Sequence, residues 1–366
     1  MAAETPNAQP AYRAEDLLSF ATSLLTASGM AIDRSRIVAE VLLEGDLMGH
    51  TTHGLQLLSP YLDAIQRKTM QLTGEPEAIV DRGSAVTWDG HWLPGPWLVR
   101  HALDLALDRI EQHPVVTIVI RRAGHIGCLA AYPRLATERG LMMLLTCSDP
   151  AVASVAPHGG VAARYTPNPI AAGWPTDTEP VIIDISASTL TNGTVMRAQR
   201  EGSRLPGPWL IGPDGAPTDD PQMFAAKPPA AILPLGGLEL GHKGFALGLL
   251  VEALTSALAG FGRADGPDHW GAAVFLQLID PRAFSGEAAF RREAGWFASS
   301  CEDTPARPDG PPVRIPGRRG LAMRSRQLQE GVVLHSQIMP QLAGWSAELG
   351  VQMPTPISPQ AVKQDL

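Results

Sequence analysis

The chain has 366 residues, of which 45% are hydrophobic and 18% charged, and its net charge is −8. That is enough apolar material for a large core in about two domains, and it excludes disorder over most of the length. An acidic chain without a basic run disfavours a nucleic-acid partner, and an anionic substrate would need a local cationic pocket.

The first eleven residues are small and polar and lack the basic start and apolar stretch of a secretory signal. Residues 14–27 carry Leu17, Leu18, Phe20, Ala21, Leu24 and Leu25 at helical spacing. Asp33 reads as an N-cap for a helix through Ile37, Val38, Val41 and Leu42, and a third helix is expected over 57–65. Ala85-Val86-Thr87-Trp88 reads as a short strand, followed by a helix near Pro96. The run within 114–120 is apolar enough to be buried on both sheet faces. A helix over 128–139 and a strand over 141–146 complete a strand–helix–strand unit.

Further strands are expected at 181–185, 231–235 and 273–279, with a long apolar helix from Phe245 to Leu258. Residues 196–229 and 302–320 are rich in Pro, Gly and Arg and read as loops, and helix returns over 333–349. The pattern implies an α/β sheet domain over 86–299. A helical domain would be built from both termini, 1–85 with 300–366. No window is long and apolar enough to span a membrane. Cys128, Cys147 and Cys301 have no metal-type spacing, and a reducing compartment, the cytoplasm, fits them.

Three constellations could carry chemistry. Gly124-His125-Ile126-Gly127 follows the apolar strand directly. Catalytic groups of α/β folds sit at such strand ends, and an imidazole can take and return a hydroxyl proton. The alternative is a loop histidine with an ordinary hydrogen bond. His50-Thr51-Thr52-His53-Gly54 could bind a metal through its two histidines, line a polar pocket, or simply end a helix; no third ligand with known zinc spacing accompanies it. Gly241-His242-Lys243-Gly244, read as opening the helix at Phe245, could attract phosphate or carboxylate or be a solvated loop. No G-x-G-x-x-G follows an expected strand and no G-x-S-x-G occurs, which argues against a Rossmann domain and an α/β-hydrolase. Ser148-Asp149-Pro150 and Asp184-Ile185-Ser186 lie at strand ends and could contact a ligand or cap a turn.

Asp46 through Gly54, Gly124-His125-Ile126-Gly127, Ser148-Asp149-Pro150, Pro157-His158-Gly159-Gly160, Asn168-Pro169, Asp184-Ile185-Ser186, Pro217 through Pro221, His242-Lys243-Gly244, Ile279-Asp280-Pro281 and Pro316-Gly317 occur in that order. The ordered set resembles the type 2 malate/L-lactate dehydrogenase family, which includes malate, ureidoglycolate and sulfolactate dehydrogenases and the ketimine reductases. The resemblance runs from about residue 14 to about 335. It implies an α/β, non-Rossmann nicotinamide-binding sheet domain beside the helical one, NAD or NADP as cofactor and a homodimer; the His50–His53 spacing itself leads to no metal being expected. His125 matches the family's catalytic acid/base, and Thr52 and His53 match a Ser-His pair near the substrate. Ser148, Asp184, Ile185, Ser186 and Lys243 match cofactor contacts, to which the loop at Gly317 and Arg318 is added.

Departures from the family pattern bear on the substrate. Met48 and Leu57 stand where relatives carry arginine, and Thr194 stands where a lysine is common. Neither Met nor Leu can clamp a carboxylate with two parallel hydrogen bonds. Arg121, Arg122, Arg164 and Arg197 are the substitutes considered. Arg318 and Arg319 would favour a 2′-phosphate if they are not simply solvated. Pro157-His158-Gly159 and Arg200-Glu201-Gly202 leading to Leu205-Pro206 resemble stretches of the ketimine reductases. The expected activity is hydride transfer between nicotinamide and C2 of a small 2-oxo or 2-hydroxy acid. The alternatives are reduction of a cyclic 2-imino acid and a non-catalytic ligand-binding relative.

Overall fold

The computed structural model describes residues 9–357. Its centre is a seven-stranded mixed sheet. The strands are β1 (Glu77–Asp81), β2 (Ala85–Asp89), β3 (Val115–Ala123), β4 (Met142–Ser148), β5 (Ile170–Trp174), β6 (Val181–Ile185) and β7 (Ala272–Ile279), in the order β1-β2-β3-β7-β4-β5-β6. Only β2 and β3 run parallel; every other neighbouring pair is antiparallel. The α/β, non-Rossmann expectation therefore holds, since a doubly wound sheet is mostly parallel. The expected strand–helix–strand unit is modified. β3 and β4 share a direction, but β7 lies between them and pairs with both.

Both sheet faces are covered. Val116, Ile118 and Ile120 join the main core, in which α4 (Gly95–Arg109) packs over β3 and β7. Val119 points the other way, to Phe275 and Ala259. Burial on both faces is why β3 reads as a continuous apolar run. The main core extends through α1 (Ala14–Ala27), α2 (Ile32–Leu47) and α3 (Leu58–Gln66) to Leu334, Ile338 and Leu342 near the other end of the chain. The two ends also meet as strands, Ala11–Tyr12 pairing antiparallel with Val332–Val333.

Several local expectations are corrected. α2 begins at Ile32 with Ala31 at its cap, so Asp33 lies inside the first turn and caps nothing. The helix expected over 128–139 is a 3-10 turn, Leu129–Ala131, followed by the short α5 (Pro133–Thr137), because Pro133 has no N–H to continue the first turn. A helix, α6 (Asn192–Glu201), enters the supposed loop at 196–229. The Thr191 side chain accepts from the Thr194 amide at one end and Gly202, at φ 63°, closes the other. The strand at 231–235 shrinks to Ala231–Ile232 in a separate three-stranded sheet.

The helix expected from Phe245 begins eight residues earlier, as α7 (Gly237–Glu252). Lys243 is therefore in its second turn and not at its N-terminus, which removes the helix-end argument for anion binding. The glycines that suggested a loop are contact points: a Cβ at Gly244 would sit 2.3 Å from the Leu235 amide nitrogen. Two further helices, α8 (Glu287–Glu302) and α9 (Arg318–Glu330), precede the C-terminal α10 (Ile338–Leu349).

Candidate active site

The alternating strand directions bring five chain segments to one edge of the sheet. β3, β4 and β6 end there, and β5 and β7 begin there. The residues just beyond those ends line one cavity of about 760 Å³: His125 and Cys128 after β3, Asp149 after β4, Asn168 before β5, Asp184 and Ser186 at β6, and Trp270 before β7. The turn after α2 closes it with His50, Thr52 and His53. That size suits a small-molecule site.

His125 is held on several sides. The Tyr61 hydroxyl, from α3, donates to the His125 carbonyl at 2.7 Å and lies 3.0 Å from its Nδ1. The Trp270 indole stacks on the imidazole with centroids 4.9 Å apart, and the His53 ring stacks at 6.2 Å. A phenol has one proton to give. If it goes to the carbonyl, the Nδ1 contact requires that Nδ1 carry its own hydrogen, and Nε2 is left with a free lone pair. If the phenol turns to Nδ1, or the Gly127 amide 3.2 Å away donates there, Nε2 carries the hydrogen instead. The Gly127 amide hydrogen is fixed by the backbone and points at Nδ1, so it favours the second arrangement; the first, in which Nε2 is a base, is the one oxidation requires and depends on Tyr61 accepting from Nδ1. Burial, and then the neighbouring His53, push His125 down to about 3, so it is neutral at pH 7.

Thr52 Oγ1 lies 2.9 Å from His53 Nδ1 and fixes that ring. Burial lowers the His53 pKa, with His50 and Arg197 adding to the effect and Asp184 opposing it. Beneath this turn Asp46 is buried, accepts from the Leu55 amide at 2.6 Å and has no partner for Oδ1 among the described residues; burial pushes it up to about 7. His50 does not complete a site with His53. Its ring nitrogen, Cys128 Sγ and an Asp184 oxygen lie within 4.8 Å of one another.

The residues expected to touch a cofactor divide into two groups. Asp184 and Ser186 line the cavity. Ile185, between them, is 44% exposed on the other side of its strand. Ser148 is buried behind the wall: its hydroxyl donates to Glu252 at 2.6 Å, in a network with Arg263 and Asn168. Lys243 is exposed on α7 and lies off the cavity. Gly317, at φ 90°, packs so tightly on β6 that a Cβ would come within 2.8 Å of the Ile182 carbonyl. Arg318 pairs with Glu302.

Met48 is buried in a small cluster with Cys128, Ala130 and Ile182, and Leu57 stands on the cavity wall. Arg121 and Arg122 are committed to Asp89, and Arg197 to Thr51 and Gln56. Among the described lining residues Arg200 is the only Lys or Arg, and it is exposed. Sequence reasoning missed Tyr61 and Trp270. A tyrosine on the apolar stripe of Leu58, Leu62 and Ile65 was a usable signal for the first; nothing local marked the second.

The family model described as malate/L-lactate dehydrogenase matches residues 12–343. The chain is 30% identical to an L-lactate dehydrogenase of Cupriavidus necator over 343 residues, covering 92% of this chain and 97% of the relative. It is 27% identical over 329 residues to a Delta(1)-pyrroline-2-carboxylate reductase of Ancylobacter novellus, covering 87% and 92%. The fold matches a crystal structure of malate dehydrogenase from Entamoeba histolytica with a TM-score of 0.88 at 22% identity, over 95% of this chain and 100% of that one.

Proposed function

The chain belongs to the malate/L-lactate dehydrogenase family and is an oxidoreductase of hydroxy or oxo acids; from that premise we propose that it moves a hydride between a nicotinamide cofactor and C2 of a small acid, with His125 carrying the proton. The non-catalytic alternative falls with family membership. One observation carries the reading: an imidazole on the cavity wall whose Nδ1 is engaged by Tyr61 and whose Nε2 has no side-chain partner among the described residues.

The donor set fits a nicotinamide nucleotide. Asp184 and Ser186 offer acceptors and a hydroxyl of the kind ribose and carboxamide groups pair with, at a strand end of the kind where α/β folds bind nucleotides. The bound cofactor would supply or accept the hydride. His125 does the rest of the work at the reacting oxygen. In oxidation Nε2 takes the hydroxyl proton; in reduction the imidazolium returns it, and Nδ1 keeps its hydrogen toward Tyr61 in both directions. Thr52 and His53 hold the substrate carboxylate. Acid/base catalysis of this kind contributes roughly 10²–10⁴-fold. Ser148, Ile185, Lys243, Gly317 and Arg318 do not line the cavity, so a direct contact to the cofactor from them would have to be made beyond its wall.

The wall made by Leu57, Pro60 and Trp270 supports a substrate with an apolar substituent over a dicarboxylate, because a second carboxylate would meet no buried cation among the described lining residues. The same wall favours a cyclic 2-imino acid as second reading. Assembly as a homodimer is supported by α7, where Leu238, Leu240, Leu249 and Leu250 are each at least 50% exposed. No helix among the described residues is long and apolar enough to cross a membrane. The three unpaired cysteines accord with a cytoplasmic location. The test is a panel of pyruvate, oxaloacetate and a cyclic 2-imino acid, each with NADH and NADPH, read by absorbance. His125→Ala should lower kcat/KM by about 10²–10⁴ while nucleotide binding persists; unchanged turnover would remove His125 from the mechanism.

A further inference from the structure

We propose that His50, Cys128 and Asp184 form a binding site for a thiophilic divalent cation of the Zn2+ class in the wall of the cavity. Three elements far apart in the chain supply the ligands. His50 comes from the turn after α2, Cys128 from the segment after β3, and Asp184 from the end of β6. One ligand atom of each lies within 4.8 Å of the other two, and Cys128 Sγ is already 3.8 Å from Asp184 Oδ2.

Tetrahedral Zn2+ with Zn–S of about 2.3 Å and Zn–N or Zn–O of about 2.0–2.2 Å spaces its ligand atoms roughly 3.3–3.8 Å apart. Side-chain rotation of about an ångström closes the remaining gap. One thiol, one imidazole and one carboxylate match the preferences of a borderline-soft ion and not those of Mg2+ or Ca2+. The Ala130 amide donates to Asp184 Oδ2 at 2.9 Å and so fixes the carboxylate, the service that groups behind a metal ligand perform. Met48, Ala130 and Ile182 pack around Cys128 and keep its side chain in place. With three protein ligands the fourth position opens to the cavity, which all three residues line.

The consequence for activity rests on the cofactor reading above. Asp184 cannot serve a cation and a nucleotide at once, so the ion and the cofactor exclude each other. Occupation would be an inhibitory state set by free metal.

The test uses the full chain stripped of metal. Titration with Co2+ should give one equivalent bound with a thiolate-to-metal charge-transfer band. That band should vanish in Cys128→Ala, while melting curves confirm the variant's fold. Binding of Zn2+, read by competition against Co2+, should weaken at least about tenfold in His50→Ala. A band that survives Cys128→Ala, or a Zn2+ affinity unmoved in His50→Ala, would overturn the site. Binding of NADH or NADPH, followed by nucleotide fluorescence, should be lost as Zn2+ saturates the wild-type chain. Undiminished nucleotide binding at saturating Zn2+ would overturn the exclusion. A chain that binds Co2+ as described and no nucleotide at all would refute the cofactor reading and uphold the metal site.

Discussion

Replacing Tyr61 by Phe removes one oxygen atom and tests how His125 is held in its working form. The ring stays, so packing in the core is kept; Tyr61 is fully buried. Two contacts go, the 2.7 Å bond to the His125 carbonyl and the 3.0 Å contact to Nδ1. Each neutral hydrogen bond contributes about 0.5–1.5 kcal/mol, so the chain should lose about 1–3 kcal/mol of stability. The larger effect is on the tautomer. Without the phenol the nearest group to Nδ1 is the Gly127 amide, which can only donate to it. That contact favours the hydrogen on Nε2, which then cannot accept the hydroxyl proton. A bias of 1.4–2.8 kcal/mol toward the wrong tautomer lowers the oxidation kcat roughly 10–100-fold, with little change in KM or in nucleotide affinity. The assay is steady-state oxidation of whichever hydroxy acid the panel selects, alongside nucleotide binding and urea unfolding. A kcat within about twofold of wild type, in a variant that shows the expected loss of stability, would refute the tautomer argument.

Leu57→Arg puts a guanidinium on the cavity wall. A charge-assisted pair contributes about 1.5–3 kcal/mol, so kcat/KM for oxaloacetate relative to pyruvate should rise roughly 10–100-fold; an unchanged ratio would show that Leu57 does not face the substrate side chain. His125, held near 3 in the free protein, must become an imidazolium to reduce an oxo acid, and an arriving carboxylate raises its pKa. An opposite charge raises a pKa by about 1–3 units, so binding of a 2-oxo acid to the nucleotide complex should take up little proton at pH 7 and increasingly more toward pH 5, seen as apparent enthalpies that differ between buffers of unlike ionisation heat near pH 5; equal enthalpies there would count against it. Asp46 is raised from 3.8 to about 7, so the stability it lends is full below its unfolded pKa and fades as pH rises through 7. His125 is lowered from 6.5, so it opposes folding increasingly as pH falls below 6.5. Between about pH 4 and 6.5 the two slopes, each about 1.4 kcal/mol per unit, oppose one another. Asp46→Asn removes one of them, and unfolding free energy should then climb with pH across that window more steeply than in wild type; parallel curves would refute the assignment.

The elements legible in the sequence were those whose burial is one-sided or complete over a long stretch. α1, α4 and β3 declare themselves by period or by unbroken apolar runs. β1 was not legible because all five of its residues are exposed. α6 and the first half of α7 were hidden by glycine and arginine, whose roles there are caps and close helix contacts that only the folded chain defines. His125 stood out because glycines bracket it at a strand end. Its surroundings did not, since Tyr61, Trp270 and His53 approach it from different elements and none of them is near it in the chain. The His50–Cys128–Asp184 group was invisible for the same reason: metal motifs are recognised by short spacings, and here the sheet, not the spacing, assembles the ligands.

The sheet also explains how a site of nucleotide-binding character can arise without a glycine fingerprint. In a doubly wound fold every strand ends on the same edge, and a glycine-rich turn at one switch point receives the pyrophosphate. Here alternation sends neighbouring strands in opposite directions, so each chain reversal places both an incoming and an outgoing segment on the same edge. Five segments reach the cavity, yet only β3, β4 and β6 bring carboxyl ends to it. On the proposed reading, contacts to the cofactor would come from single residues at several strand ends, Asp184 and Ser186 among them, in place of one glycine-rich turn. Asp149, Asp184 and Ser186 were marked by the strand ends they border and Asn168 by the ordered set, while nothing local marked Trp270. Such a site can accommodate changes like Leu57 on its wall and Met48 packed behind it, because no one loop sets both cofactor and substrate. Substrate choice can then drift while the imidazole and its phenol stay in place.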